Sequence, residues 1–267
     1  MEYASFLFKN KIMAPSSWSL TDWYRKVPAW VRIYFFFVSG VTNKDVLKEL
    51  HSLLFSMVDD MYQISEFIYE AECMFDEMMK SPSVCKRDFC ESIQICNNYE
   101  RLRCMYRTFM ELWNGYGNYC EEMSSDYLMW QYPCWRMSRM DGAKTKRRDH
   151  EEYLGTVALK SDCRFWIARN SEALKGFGLP YTPFGFNSWI YLEPVDRAEC
   201  IELGLINKGE PTPCLSPAAR EMWGLPLDRE SDINDPGREV VVEAMKKWGV
   251  YELRQKVLQR QPWPDKK

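Results

Sequence analysis

Residues 42–61 read TNKDVLKELHSLLFSMVDDM, and the apolar side chains of this segment recur every three or four positions. This spacing puts the apolar residues on one face of an α-helix. Thr42, followed by Asp45 three positions later, is typical of a capping box, in which each side chain binds the backbone N–H of the other residue. The segment therefore predicts an amphipathic helix that begins near Thr42.

Glycine and proline are distributed unevenly around this segment. Residues 41–114 contain no glycine and only one proline, Pro82, whereas twelve of the thirteen glycines lie at or after Gly115. Because both residue types interrupt helices, the first part of the chain should be helical and the second part rich in turns. Two apolar stripes at helical spacing, one before and one after Pro82, predict two long helices that pack as an antiparallel pair, and the first stripe allows a break near Ser65.

The second part contains two short segments of strand type, GTVALK at residues 155–160 and WIYLEPV at residues 189–195. Pro194 favours a position at the edge of a sheet, because proline has no backbone N–H to donate. Three short helices should follow, because each of three segments begins with a residue that is typical of an N-cap. In the later two segments a proline directly follows the cap. Their predicted N-caps are Asp196, Ser216 and Asp235.

These patterns predict an α+β protein. Long N-terminal helices, arranged as an antiparallel helical pair or bundle, should be followed by a compact module with a small β-sheet and by short C-terminal helices. We divide the chain into a helical region at residues 1–130, an α+β module at residues 131–210 and a C-terminal helical extension at residues 211–267.

The composition is that of a folded protein without a strong charge bias. Hydrophobic residues make up 46% of the chain and charged residues 27%, and the formal net charge is -3. This balance argues against an overall cationic nucleic-acid binder, although it is compatible with a local basic patch. The most apolar run, residues 31–38, contains Arg32 and is too short to span a bilayer. We expect a protein without membrane association and without an export signal.

The ten cysteines do not have the spacing of a disulfide framework or of a metal site. None belongs to a CxxC pair, and several lie on predicted helix faces, where a free thiol behaves as a small apolar residue. The closest group, Cys85, Cys90 and Cys96, has no histidine nearby, which argues against zinc. We expect reduced, structural cysteines, no metal and no cofactor.

Two histidines are present, His51 and His150. We predict that His51 lies on a helix surface, because no second ligand is found at metal-binding spacing. His150 lies in the charged segment RRDHEE, and a structural hydrogen bond is the favoured interpretation. The alternative is a small hydrolase or transferase that uses His150 with a nearby cysteine, such as Cys134 or Cys163, or with a carboxylate; an imidazole oriented by a carboxylate could act as a general base.

The glycines of residues 176–178 do not form a phosphate-binding motif, because neither GxGxxG nor a Walker A pattern occurs. Prolines and aromatic residues follow instead in LPYTPFGFNSW, at residues 179–189. This composition predicts an ordered loop held by its rings, which serves either to close the core or as a docking surface; we favour closure of the core.

A basic segment lies between residues 136 and 148, with six cations and one acid, Asp141. Such a segment is either a solvated loop or a contact to DNA phosphates, which would be salt-dependent and independent of base sequence. The solvated loop is the favoured interpretation. The candidate DNA contacts are Lys144, Lys146, Arg147 and Arg148.

The second half of the chain also has an ordered series of short motifs. A proline-aromatic step, an R-x-x-H, a G-x-V strand, a Phe-Trp pair, a proline-rich loop and a valine-containing strand are followed by a short helix that ends at a glycine. The residues concerned are Pro133, Trp135, Arg147, His150, Gly155, Phe165, Trp166, Pro180, Pro183, Phe184, Asn187, Val195 and Gly204. This arrangement resembles the phage Mu F-like minor head proteins, also called phage head morphogenesis proteins.

The resemblance implies a structural role in a tailed bacteriophage and no enzymatic activity. A protein of this family would bind portal and major capsid subunits during head morphogenesis, with phage DNA as a further candidate partner and no small-molecule substrate. It would be found in the bacterial host cytoplasm during assembly and then in the virion head. Too few residues follow Gly209 for the large toxin domain that some relatives carry.

The chain departs from the family pattern at residues 187–189. Many relatives have a Cys-x-Cys pair after the proline-rich loop, whereas this chain has Asn187, Ser188 and Trp189. A metal or disulfide role for that pair is therefore not expected here. The resemblance implies that His150, Trp166 and Trp189 pack within a single small unit.

Overall fold

The computed structural model describes residues 2–60, 62–80, 87–141, 148–225 and 235–259. The first half is helical, apart from two short strands. Its helices are α1 (Glu2–Lys9), α2 (Leu20–Lys26), α3 (Ala29–Arg32), α4 (Lys44–Asp59), α5 (Ile64–Met79), α6 (Arg87–Cys96) and α7 (Tyr99–Ser124). Its strands are β1 (Ile12–Met13) and β2 (Phe35–Phe36), which pair in parallel.

The second half combines three further strands with short helices. The strands are β3 (Cys134–Arg139), β4 (Val157–Leu159) and β5 (Ile190–Val195). The helices are α8 (Asp126–Gln131), α9 (Cys163–Arg169), α10 (Arg197–Glu202), α11 (Pro217–Met222), α12 (Pro236–Lys247) and α13 (Tyr251–Leu258), with 3₁₀ turns at Arg148–Tyr153 and Glu172–Leu174. The predicted α+β class, with long N-terminal helices, a small sheet and short C-terminal helices, is confirmed.

The contacts divide the chain into two compact units. Ser5–Trp113 forms one unit, and Met1–Ala4 together with Asn114–Lys267 forms the other. The described residues from 211 onward thus belong to the same unit as residues 131–210. The sequence-based division at residues 130 and 210 stays a prediction.

The predicted helix near Thr42 is present, but its cap is Asn43. The Asn43 Oδ1 atom accepts hydrogen bonds from the backbone N–H groups of Asp45 (3.0 Å) and Val46 (3.2 Å). The capping box predicted for Thr42 is therefore wrong by one residue, because asparagine is as good an N-cap as threonine or better. The stripe before Pro82 forms α4 and α5, with the break near Ser65 that its pattern allows. The stripe after Pro82 is also divided, because residues 87–124 form α6 and α7.

His51 is buried, so its predicted place on a helix surface is wrong. Only 5% of the residue is exposed, and its Nε2 atom lies 2.7 Å from the backbone oxygen of Phe8. The ring also packs against Phe36, at a centroid distance of 4.8 Å, and against Phe109, at 6.1 Å. The helical pattern of α4 could not reveal this, because the covering residues come from distant parts of the chain.

We expect the buried imidazole to make stability pH-dependent. Burial lowers the pKa of His51 from 6.5 to about 4, so between these values the unfolded chain binds a proton that the folded chain does not. Stability is therefore complete above the unfolded pKa and is lost as the pH falls through this window. The free energy of unfolding should fall by about 2 kcal/mol between about pH 7 and about pH 5.

Urea unfolding at both pH values measures this loss, with His51→Gln as the comparison because its amide N–H can still donate to the Phe8 oxygen. The variant should lack the part of the pH dependence that His51 contributes. An unchanged pH dependence in His51→Gln would show that other groups cause it.

The three-stranded sheet has the order β4-β3-β5, with β3 antiparallel to both neighbours. Both predicted strands are present as β4 and β5, and β5 occupies an edge, as Pro194 indicates. The central strand β3 was not predicted, and its last residues were assigned to the basic segment. One side of the sheet is packed against an apolar cluster formed by Cys134, Val195, Cys200 and Ile206.

The later helices begin at the predicted caps. The side chains of Asp196, Ser216 and Asp235 each accept a hydrogen bond from a backbone N–H three residues ahead.

In the part of the chain that the structure describes, no helix is both long and apolar enough to cross a membrane. The nine cysteines described there are free thiols.

Candidate functional site

Several of the residues singled out from the sequence lie on α9 or against it. This helix begins at Asp162, whose Oδ1 atom accepts a hydrogen bond from Phe165 N–H at 3.0 Å. Trp166, one helical turn further along, is completely buried. The indole N–H of Trp166 donates a hydrogen bond to the Leu159 oxygen at 2.9 Å. The Trp166 ring meets the rings of Phe165 and Trp135 edge to face, at 4.9 and 5.7 Å between centroids. The structure thus brings Trp135, Phe165 and Trp166 together.

His150 connects the 3₁₀ turn at Arg148–Tyr153 to the end of α9. The side chain is fully buried, and its Nε2 atom lies 3.1 Å from the backbone oxygen of Arg169. Because a carbonyl oxygen can only accept, Nε2 carries the proton in this contact. The imidazole is perpendicular to the ring of Phe184, at a centroid distance of 6.0 Å. The structural hydrogen bond that was the favoured interpretation is therefore present.

Neither cysteine of the hydrolase alternative has His150 as its described partner. The Cys163 Sγ atom lies 3.6 Å from the Tyr119 hydroxyl, and burial raises the pKa of this thiol to about 11. Cys134 packs against Cys200 inside the apolar cluster, where burial raises its pKa further. Because the thiolate is the nucleophile, these environments favour the unreactive, protonated form.

Asn170 holds the proline-rich loop in place and was missed by the sequence analysis. Its buried amide nitrogen lies 3.0 Å from the oxygens of Leu179 and Tyr181 and 3.2 Å from that of Pro183. Its side-chain oxygen accepts a hydrogen bond from Phe177 N–H at 2.7 Å. An asparagine just after a helix is common, so no local pattern marks it as the centre of this network.

The loop at residues 179–189 closes the core with most of its length. Pro180, Pro183 and Phe184 are buried, and the Thr182–Pro183 peptide bond is cis. The favoured prediction of core closure is confirmed for this part. The tip differs, because Phe186 is 48% exposed and Asn187, also exposed, has a positive φ of 51°.

The remaining motif residues have structural positions. The Pro133 oxygen accepts a hydrogen bond from Lys160 N–H at 2.9 Å, and Gly155 has a φ of 81° that favours glycine. Val195 lies in the apolar cluster, and Gly204 follows the end of α10 with a φ of 70°. Trp189 directly precedes β5, and its oxygen accepts a hydrogen bond from Met140 N–H at 2.8 Å.

Of the four predicted DNA contacts, Arg148 alone lies within the described residues. Lys144, Lys146 and Arg147, which is also a motif residue, lie outside the described residues. Arg148 is described and is exposed at the start of the 3₁₀ turn. Solvent access at Arg148 is compatible with both interpretations of the basic segment.

A buried ion pair reinforces the same module and was also not predicted. The Lys160 Nζ atom lies 2.5 Å from Glu122 Oε2, and only 1% of the lysine side chain is exposed. The Trp135 indole N–H donates to the same carboxylate oxygen at 2.8 Å. Desolvation lowers the pKa of Lys160, and the carboxylate opposes that shift. Lys160 and Glu122 thus fix Trp135 and the end of β4 to α7.

Within the described ranges, no group of three or more His, Cys, Asp or Glu residues has the arrangement of a metal site. The side chains that converge on α9 instead bind backbone carbonyls and pack rings. Comparison with known proteins gives no match, whether the chain is compared with family models, with curated proteins or with solved structures.

Proposed function

We propose that this chain is a structural minor head protein of a tailed bacteriophage. It binds portal and major capsid subunits during head morphogenesis, first in the bacterial host cytoplasm and then as part of the virion head. The observation that carries the proposal is that motif residues scattered from Pro133 to Val195 in sequence support one packed module. Trp135, Phe165 and Trp166 share ring contacts, and His150 joins α9 to Phe184.

The surface of this module offers anchors for another protein. Tyr127 and Trp130 on α8 are 69% and 54% exposed, and the Arg197 guanidinium lies 5.4 Å from the Trp130 ring centroid. Exposed tyrosine, tryptophan and arginine are the residue types that most often dominate the energetics of protein interfaces. Phe186 at the tip of the proline-rich loop adds a further exposed ring. These exposed side chains would serve to bind another protein, and this role requires no catalysed reaction.

The basic segment offers contacts to a second partner, phage DNA. Lys144, Lys146, Arg147 and Arg148 would contact the phosphates of packaged DNA without reading its sequence. Replacing all four by alanine should then abolish retention on DNA, whereas binding of the native chain should weaken steeply as salt rises.

Mass spectrometry of purified virions and procapsids tests the assembly role. The chain should be found in both preparations, at a few copies per major capsid protein complement. Peptides of the major capsid protein in the same samples serve as the control for recovery. Absence of the chain from both particles, with capsid peptides present, would refute the proposal.

A further inference from the structure

A groove between α4 and α5 lies within the unit Ser5–Trp113, which contains none of the motif residues. Its volume is about 490 Å³, and it is open to solvent. Leu53 and Met57 of α4 supply apolar lining, and neither is fully exposed. The other lining residues are polar or aromatic, namely Ser56, Asp60, Tyr62, Ser65, Glu66, Tyr69 and Glu70.

The residues around the groove carry a strongly negative charge. Residues 59–77 contain seven carboxylates and no lysine, arginine or histidine. Three of these carboxylates, Asp60, Glu66 and Glu70, line the groove. In the described part of the chain, none of the three forms an ion pair with a basic side chain, although Glu66 caps α5 by accepting a hydrogen bond from Gln63 N–H at 2.7 Å. A cationic ligand would therefore find carboxylates that are not already neutralised.

Two exposed rings add a second, independent feature. Tyr62 is 47% exposed and Tyr69 is 64% exposed, and both line the groove. The backbone of Tyr62 is held in position, because its oxygen accepts a hydrogen bond from the Tyr106 hydroxyl. The face of a tyrosine ring attracts a guanidinium or ammonium group, and long basic side chains bury their methylene stems on apolar surface. Carboxylates, aromatic faces and apolar lining together match arginine and lysine side chains.

From this combination of charge, rings and apolar lining, we propose that the α4–α5 groove binds a lysine- and arginine-rich peptide segment of a partner protein. The side chains of the peptide would lie along Tyr62 and Tyr69, with their charged ends at Asp60 and Glu70. Because the described residues that line the groove all lie between positions 53 and 70, this binding does not depend on the role proposed for the second half of the chain.

Fluorescence anisotropy tests the proposal on the full chain. The probe is a fluorescein-labelled peptide of Leu-Arg-Lys repeats, and the same peptide with glutamate in place of arginine and lysine is the negative control. The double variant Asp60→Asn, Glu70→Gln should bind the basic probe roughly fivefold more weakly or worse, since each lost ion pair contributes a modest amount. Tyr69→Ala should also weaken binding, whereas Tyr69→Phe, which keeps the ring, should not.

The matched control is the double variant Glu72→Gln, Asp76→Asn. Both residues are exposed on α5 and do not line the groove, and their replacement removes the same charge. This control should bind the basic probe within about twofold of the native chain. Equal weakening in both double variants would show unspecific attraction and overturn the proposal. The proposal would also be overturned if spermine bound more tightly than the peptide. It would be overturned as well if the chain associated with itself and this association prevented peptide binding.

Discussion

The variant Gly115→Ala should be less stable than the native chain by about 3 kcal/mol or more. A Cβ atom added to Gly115 in α7 would lie 1.9 Å from the backbone oxygen of Thr182 and 2.9 Å from its carbonyl carbon. The obstacle is backbone and not the end of a flexible side chain, so the proline-rich loop itself would have to move. Elsewhere in a helix, the same change stabilises by about 1 kcal/mol, so the sign of the effect is reversed here.

Urea unfolding followed by circular dichroism measures this effect. Asn118→Ala is the matched control, because Asn118 is exposed on the same helix and its replacement should change stability by no more than about 0.5 kcal/mol. If Gly115→Ala is as stable as the native chain, α7 and the loop at Thr182 are not in close contact.

The variant Asn170→Asp should also lose about 3 kcal/mol or more, although its side chain has nearly the same shape. The native amide nitrogen lies near the oxygens of Leu179, Tyr181 and Pro183. A carboxylate at this position would direct a negative charge at three carbonyl oxygens and would be buried without a basic partner. Burying an unpaired charge is among the most destabilising changes known in proteins.

Unfolding measurements and limited proteolysis test this prediction together. Cleavage within residues 177–186 should become faster, because the loop loses the network that holds it. Asn187→Asp provides the control in the same loop, since Asn187 is exposed and aspartate also tolerates a positive φ. Equal stability of Asn170→Asp and Asn187→Asp would mean that the Asn170 amide does not hold the loop.

Local signals explain why much of the fold could be predicted from the sequence. The apolar spacing of α4 and the caps at Asp196, Ser216 and Asp235 involve residues within one or two helical turns. The strand β3 could not be recognised in the same way. Its sequence CWRMSR mixes apolar and basic residues, and its identity as a strand depends on pairing with β4 and β5, which are distant in sequence.

The candidate site could be predicted only in part, for the same physical reason. His150 and Trp166 were singled out through their place in an ordered series of motifs. Asn170 and Lys160 were not, because an asparagine and a lysine are usually exposed and their burial depends on partners elsewhere in the chain. His51 was misassigned for this reason, since the backbone of Phe8 covers a side chain that the helix pattern alone places at the surface.

The Asn170 network has a consequence for how the proline-rich loop responds to its surroundings. A neutral amide neither takes up nor releases protons over the ordinary pH range. Unlike a cysteine thiol, it is not oxidised to a disulfide. The hydrogen bonds of the Asn170 amide therefore require no oxidising compartment. Such a fastening is complete as soon as the chain has folded, and it is the same in a reducing cell as in the external medium.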